Sequence, residues 1–268
     1  MHFSLLSRGA NCFSLRVIEA TLGALLNAAG IVIGGIIGLT RPQPFSARTQ
    51  GFFKALLGVL TVFFGLRLVW LSVGGTAGNV FKQIFIALAA LVIGNLLGRS
   101  LRLQKMSNAL GQHAKKLMER SRPDDPRRFS DSMNICTILF CAAPLGILGA
   151  IHDALPAADG SVRFYYPMIV KGLMDGLAAM GFVMMFGAGA IFSALPVYLV
   201  FGTLTMVTHI WVEPLLRTNQ LLDPVNAVGG LVICSVAVVI FELRRVQLAD
   251  YLPALVVAPA LTWVWNRL

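Results

Sequence analysis

Long apolar runs, each close to the length of one membrane-spanning helix, dominate this chain of 268 residues. A bilayer core is about 30 Å thick, and an α-helix needs roughly 20 apolar residues to cross it. Seven runs approach that length: 22–39, 53–73, 81–97, 135–151, 168–192, 195–212 and 225–241. An eighth run, 251–265, is shorter and contains two prolines, so it either spans with a kink or re-enters. The sequence therefore predicts one all-α integral membrane domain over residues 1–268, a bundle of seven to eight helices, some kinked or interrupted.

The composition restricts both the class of protein and its partners. Hydrophobic residues make up 57% of the chain and charged residues 13%, against about a quarter charged in globular domains. The formal net charge is +10, but the basic residues cluster beside the apolar runs, as topology signals of membrane proteins do. We therefore expect the lipid bilayer as a partner and no nucleic acid. The four cysteines lack the spacing of a metal site, and we interpret them as buried thiols.

The polar residues 99–131 form the longest interruption between apolar runs. They contain nine of the 22 lysines and arginines, and the positive-inside rule predicts that this basic amphipathic loop is cytoplasmic. Residues 99–118 combine apolar residues at helical spacing with basic ones, which predicts a helix that binds anionic lipids. Alternation of the spans then predicts a multi-pass membrane protein with its N-terminus outside. Residues 1–20 precede the first span, and we expect an uncleaved N-terminal extension.

One carboxylate lies well inside an apolar run. Asp175 is too short to reach the membrane surface, and such a residue costs about 2.5–3.5 kcal/mol unless it faces protein or water. Lys171 precedes it by four residues and shares its helix face, although a lysine can also extend to the interface. Arg67, in the second run, is predicted at a similar depth, so either cation could pair with Asp175. The alternatives are a structural ion pair and a site for an ion, a proton or a small solute.

Three further polar side chains are candidates for the same substrate or ion site. Asn27 lies one turn before Gly30, on a glycine face that allows close helix packing or lines a cavity. Thr205 and His209 are four residues apart and predict a polar stripe on the sixth run. An interfacial histidine is the simpler interpretation of His209, because a tryptophan follows it closely.

Glycine and proline predict two interruptions of the spans. Pro144 lacks an amide donor and predicts a kink or break near residues 141–143. Gly187, Gly189 and Pro196 argue against a continuous helix at the end of the fifth run. Irregular backbone at membrane depth persists only where protein or water covers its polar groups. Both interruptions are therefore compatible with a polar site or with tight packing inside the bundle.

The chain contains no pattern typical of a phosphate-binding loop, a nucleophile elbow or a zinc protease. We therefore expect no catalytic residues, no cofactor and no metal. The predicted function is transport of a small solute or ion through a site at Asp175. A passive channel and a non-transporting scaffold or regulator that uses the basic loop are the alternatives. The oligomeric state is left open, and a homo-oligomer is among the choices.

Several short stretches together resemble one family of prokaryotic multi-pass membrane proteins, the YqgA/YdfK-like family of unknown function. They are GALLN, GGIIG, IGNLLGRSLRL, LFCAAPLGILGAIHDAL, KGLMDG, GAGAIFSALP, FGTLT, AVGG and LPAL, and the likeness extends over nearly all of residues 23–259. The resemblance implies a polytopic inner-membrane protein, often described as a transporter without an established substrate. The chain departs from the family pattern at Ala143, Ala154 and Phe201, where the family usually has glycine, glycine and glutamine.

Overall fold

The computed structural model describes residues 20–41, 43, 45–120, 128–156, 163–244 and 246–267. In chain order the helices are α1 (Leu22–Thr40), α2 (Ala47–Ser72), α3 (Ala77–Ser100), α4 (Leu103–Arg120), α5 (Arg128–Ala142), α6 (Pro144–Ala154), α7 (Tyr166–Phe186), α8 (Gly189–Phe192), α9 (Ala194–Val207), α10 (Glu213–Thr218), α11 (Leu222–Ile240) and α12 (Ala254–Trp265). A π-helical turn, Thr208–Val212, joins α9 to α10, and a 3-10 turn, Leu248–Tyr251, precedes α12. Residues 1–19 of the expected N-terminal extension lie outside the described residues.

Seven helical segments within the described residues are long and apolar enough to cross a membrane. They confirm the predicted all-α membrane fold. The segment Leu248–Trp265, which the sequence left open, is one of the seven and has 18 residues. The predicted fourth span is instead divided into α5 and α6, which are bent by 65° relative to each other. The number of spans is eight if this bent pair forms one crossing.

Glycines bring α1 and α7 into backbone contact. A Cβ atom built on Gly34 would lie 2.0 Å from the carbonyl oxygen of Gly176, and one built on Gly30 would lie 2.3 Å from that of Gly172. Side chains at these positions would collide with the facing backbone, so only glycine permits this approach. The residue numbers of the contacting positions increase together along both helices. Hence α1 and α7 run parallel, as the first and fifth spans must if every span crosses.

A second glycine contact joins α2 to α11. A Cβ on Gly65 would lie 2.8 Å from the carbonyl oxygen of Gly230, and one on Gly58 would meet the ring of Phe241. The residue numbers of the contacting positions increase along α11 while they decrease along α2, so these two helices are antiparallel. Helices α3 and α12 are also in contact. Close packing of small residues therefore holds the bundle together, as expected where lipid supplies no hydrophobic driving force between helices.

The bent pair α5–α6 connects opposite ends of the bundle. At the start of α5, the Arg128 guanidinium donates a hydrogen bond to the carbonyl of Met185, in the last turn of α7 (2.9 Å). At the end of α6, the Asp153 carboxylate accepts a hydrogen bond from the amide of Gly23, in the first turn of α1 (2.9 Å). Because α1 and α7 are parallel, the end of one and the start of the other lie on opposite sides. The pair therefore forms a broken span rather than a re-entrant loop.

Reporter fusions provide a direct test of this crossing. A fusion after Gly111, in α4, and one after Asp159 should report opposite sides of the membrane, the first cytoplasmic and the second external, because α5–α6 separates them. Fusions after Phe45 and Gly74, which flank the unbroken helix α2, are the matched pair. If the Gly111 and Asp159 fusions report the same side while the matched pair reports opposite sides, α5–α6 re-enters.

The amphipathic helix α4 is docked onto the rest of the bundle. It begins at Leu103 rather than at the predicted residue 99, because α3 continues to Ser100 and Arg102 turns the chain with φ of 56°. The amide of Gln104 donates to the buried carboxylate of Asp250 (2.9 Å), which satisfies a free amide at the start of α4. Helix α4 also packs against α5 and the 3-10 turn. The sequence predicts this helix at the membrane surface, and these contacts hold it against the bundle.

Candidate functional site

Lys171 and Asp175 form an ion pair inside the bundle. Both lie on one face of α7, four residues apart, and their side chains meet in a direct hydrogen bond. Lys171 is 2% exposed and Asp175 is 6% exposed. The lysine therefore points into the protein rather than toward the membrane interface. Neither charge is screened by solvent, so each depends on the other for stabilisation.

Side chains from three other helices surround this pair. Asn27 of α1 is completely buried beside the Asp175 carboxylate, but neither polar atom of its amide meets hydrogen-bonding geometry. Two aromatic rings face the ammonium group, Phe140 of α5 at 5.6 Å and Phe201 of α9 at 5.9 Å. Such rings stabilise a cation through their faces without supplying a hydrogen bond. The pair thus lies in a mainly apolar enclosure that contains one buried amide beside the carboxylate.

The break between α5 and α6 lies close to the ion pair. Phe140 precedes it by three residues, and the Cys141 thiol is within electrostatic range of both charges. Helix α5 ends at Ala142 because Pro144 has no amide hydrogen, and Pro144 opens α6. The carbonyl of Ala142 accepts a hydrogen bond from the hydroxyl of Ser107 in α4 (2.9 Å). Helix α4 is therefore connected to the break, and through it to the neighbourhood of the charges.

A second interruption follows α7. Gly187 ends that helix with φ of 88°, a conformation that favours glycine. Gly189 opens the four-residue helix α8, and a Cβ there would lie 2.2 Å from the carbonyl oxygen of Phe129 in α5. Pro196 causes no break of its own, because it lies in the first turn of α9, where a proline is tolerated. The glycines therefore separate two complete spans, Tyr166–Phe186 and Gly189–Thr218, and the prediction that they interrupt a single span, the fifth run 168–192, was wrong.

The other three candidate residues do not contact the ion pair. Arg67 lies over the Tyr166 ring at 5.3 Å and does not pair with Asp175. The Thr205 hydroxyl is buried and donates to backbone carbonyls in α6 and α9. His209 lies in the π-helical turn, 3.3 Å from the Glu213 carboxylate. The expected polar stripe is absent because Thr205 faces the interior while the His209 side chain is partly exposed.

A buried histidine and asparagine were not identified as candidates from the sequence. His152 of α6 is completely buried beside the Asn226 amide of α11, although neither ring nitrogen reaches strict hydrogen-bonding geometry with it. Its ring packs on α11, where a Cβ at Gly229 would lie 1.7 Å from Nε2. The buried Asn226, also in α11, has an unpartnered amide oxygen. An imidazole and an amide inside apolar runs were the available signal, because hydrocarbon accepts neither at low cost.

Two cavities differ sharply in the polarity of their linings. An apolar groove of about 930 Å³ between α9, α10 and α12 has no charged residue in its lining. A polar cavity of about 310 Å³ lies where α3 and α11 begin and α12 ends. Its polar lining consists of Ser72, Asn79, Lys82, Gln83, Gln220, Asp223, Thr262 and Asn266. The apolar groove is suited to lipid chains, whereas the polar cavity can admit water or a small solute.

Comparison with known proteins places the chain in a family. Residues 22–263 match the family model described as "Protein of unknown function (DUF554)". The chain is 25% identical to "Uncharacterized protein YqgA" of Escherichia coli (strain K12), covering 91% of this chain and 97% of that one. It is 23% identical to "Uncharacterized membrane protein YdfK" of Bacillus subtilis (strain 168), covering 90% and 96%. No solved structure matches. The chain belongs to the DUF554 family.

Proposed function

We propose that this member of the DUF554 family is a transporter of the bacterial inner membrane that moves a small solute or ion, with Asp175 as the ligand or proton carrier. The observation that supports this proposal is the enclosed Lys171–Asp175 pair beside a broken span. Ionisable residues inside membrane spans are rare and typically belong to ion, proton or substrate pathways. Lys171 is the counter-charge of the carboxylate when no solute is bound.

The surroundings of the pair suit a site that opens and closes. Helices that are interrupted near the middle of a membrane typically bind solutes in transporters, and rigid-body movement at such points changes access. Here the break at Ala143 divides the span α5–α6, which packs against α7 and its ion pair, while the glycines lie beyond the end of α7 and connect it to the next span. Asn27 adds a buried amide next to the Asp175 carboxylate. A solute can therefore gain hydrogen bonds from Asn27 when it replaces Lys171 at Asp175.

Proteoliposome flux measurements test this proposal. The probes are protons followed by a trapped pH-sensitive dye, radiolabelled sodium, rubidium and chloride, and a panel of labelled zwitterionic and anionic metabolites. We expect saturable flux of at least one probe with the native chain. Asp175→Asn should reduce that flux to the level of protein-free liposomes, because the substituted amide carries no charge and no exchangeable acid. Glu119→Gln removes an exposed carboxylate from α4 and should leave the flux unchanged.

The alternative functions give different results in the same experiment. A passive channel gives conductance that does not saturate and no counterflow of labelled solute. A scaffold or regulator gives no flux with any probe, and its function depends on α4 rather than on Asp175. Normal flux from a folded Asp175→Asn variant would exclude Asp175 as the transport site.

A further inference from the structure

Two arginines meet at the end of the bundle where α3 and α11 finish. Arg99 lies in the last turn of α3, and Arg244 follows α11. Both line a cavity of about 350 Å³, together with Asn95, Gln247 and Tyr251. Both arginine side chains are exposed, and neither forms an ion pair with any described residue. The cavity therefore concentrates positive charge next to hydrogen-bonding side chains.

The two acidic residues nearest to Arg244 in the sequence are engaged elsewhere. The hydrogen bond and charge of Lys54 hold the pKa of Glu242 below its usual value, so this carboxylate is ionised and paired with Lys54. Asp250 accepts the hydrogen bond from the start of α4. Neither carboxylate therefore neutralises the arginines in this structure. An external anion is the partner that would complete their pairing.

Tyr251 and Asn95 add uncharged groups to the same cavity. The Asn95 amide nitrogen is 3.5 Å from the Tyr251 hydroxyl, while the Asn95 amide oxygen is buried without a partner. Because the Tyr251 hydroxyl accepts from Asn95, its own O–H remains free to donate. The arginines, Gln247 and the Tyr251 hydroxyl therefore all offer donors to an anion in the cavity. Arginine forks and amide N–H groups match the oxygens of a phosphate group.

We propose that the cavity between Arg99 and Arg244 binds the phosphate of an anionic lipid headgroup. The lipid, rather than soluble phosphate, follows from the position of the cavity at the ends of two membrane-spanning helices, the level at which headgroups lie. The bound lipid joins the end of α3 to the segment between α11 and α12. Because Asp250 in that segment also contacts α4, the lipid stabilises the docked position of α4. This site is independent of transport through Asp175.

Thermal unfolding of the full chain in neutral detergent tests the site. Phosphatidylglycerol should raise the unfolding midpoint of the native chain more than zwitterionic phosphatidylcholine does, because only the former carries net negative charge. Arg99→Gln/Arg244→Gln should weaken phosphatidylglycerol binding by about tenfold or more, since two charge-assisted contacts are lost. Arg99→Lys/Arg244→Lys keeps both charges without the arginine fork and should weaken binding less. Arg41→Gln/Arg48→Gln removes the same charge from the end of α1 and the first turn of α2 and should not affect binding.

Each contrary result has a defined meaning. Unchanged phosphatidylglycerol binding by Arg99→Gln/Arg244→Gln overturns the site. An equal loss with Arg41→Gln/Arg48→Gln overturns it as well, because general surface charge then explains the binding. If inorganic phosphate raises the midpoint alone and displaces phosphatidylglycerol, the ligand is soluble phosphate and the lipid assignment fails. If inorganic phosphate does neither, a loss confined to the Arg99→Gln/Arg244→Gln variant supports the lipid site.

Discussion

Asp175→Asn should lower the free energy of unfolding by about 3–5 kcal/mol, because it leaves the buried Lys171 ammonium without its ionic partner. Lys171→Met/Asp175→Asn removes both charges and should recover most of that loss, since a neutral pair carries no unpaired charge. Transport should remain absent in both variants. Stability and transport therefore respond differently, and the double variant separates a fold defect from the loss of a transport group.

Reversible unfolding in mixed micelles, followed by helix content, measures the stability of these variants. Lys171→Asp/Asp175→Lys retains an ion pair with exchanged positions and serves as the control for pairing itself. Two results would contradict the proposal. One is native flux from the double neutral variant, because the pair would then be a structural element alone. The other is native flux from the exchanged variant, because a transport site depends on the position of its carboxylate.

Apolar runs and intramembrane charges were predictable because they follow from transfer free energies. Each span needs a certain number of apolar residues, and Asp175 is costly in hydrocarbon whichever helices surround it. Its pairing with Lys171 could be predicted because a helix places residues four apart on one face. Arg67 was an equal candidate on depth alone. Its actual contact with Tyr166 depends on which helices are neighbours, and periodicity within one helix carries no such information.

The division of the fourth span could be predicted from the sequence, but the contacts around the break could not. Pro144 predicted a break because proline lacks an amide hydrogen. That the Ser107 hydroxyl binds the carbonyl at this break follows from the docking of α4, a contact between residues 35 positions apart. For Thr205 and His209 the sequence predicted a polar stripe that the structure does not form. Four-residue spacing places both on one helix face, but Thr205 is covered by α6, where its hydroxyl donates to a backbone carbonyl. His209 instead lies beside Glu213 and is partly exposed. Which helix covers each side chain depends on tertiary packing.

Gly34→Ala should destabilise the fold by about 3 kcal/mol or prevent its assembly, because the added Cβ would lie 2.0 Å from the Gly176 carbonyl oxygen. That oxygen belongs to helix backbone and cannot rotate away, so α1 and α7 must separate. Separation would also displace Asn27, two turns before Gly34 on α1, from the ion pair. Transport should therefore fall together with stability.

Gly181→Ala provides the matched control for this effect. Gly181 lies on α7, as Gly176 does, but a Cβ there has no neighbour within 4 Å. Alanine favours a helix over glycine by about 1 kcal/mol, so this variant should be as stable as the native chain or slightly more stable. Unfolding free energy and folded yield distinguish the two substitutions. If Gly34→Ala is as stable as Gly181→Ala, α1 and α7 do not pack through direct backbone contact. The position of Asn27 beside Asp175 would then lose its structural basis as well.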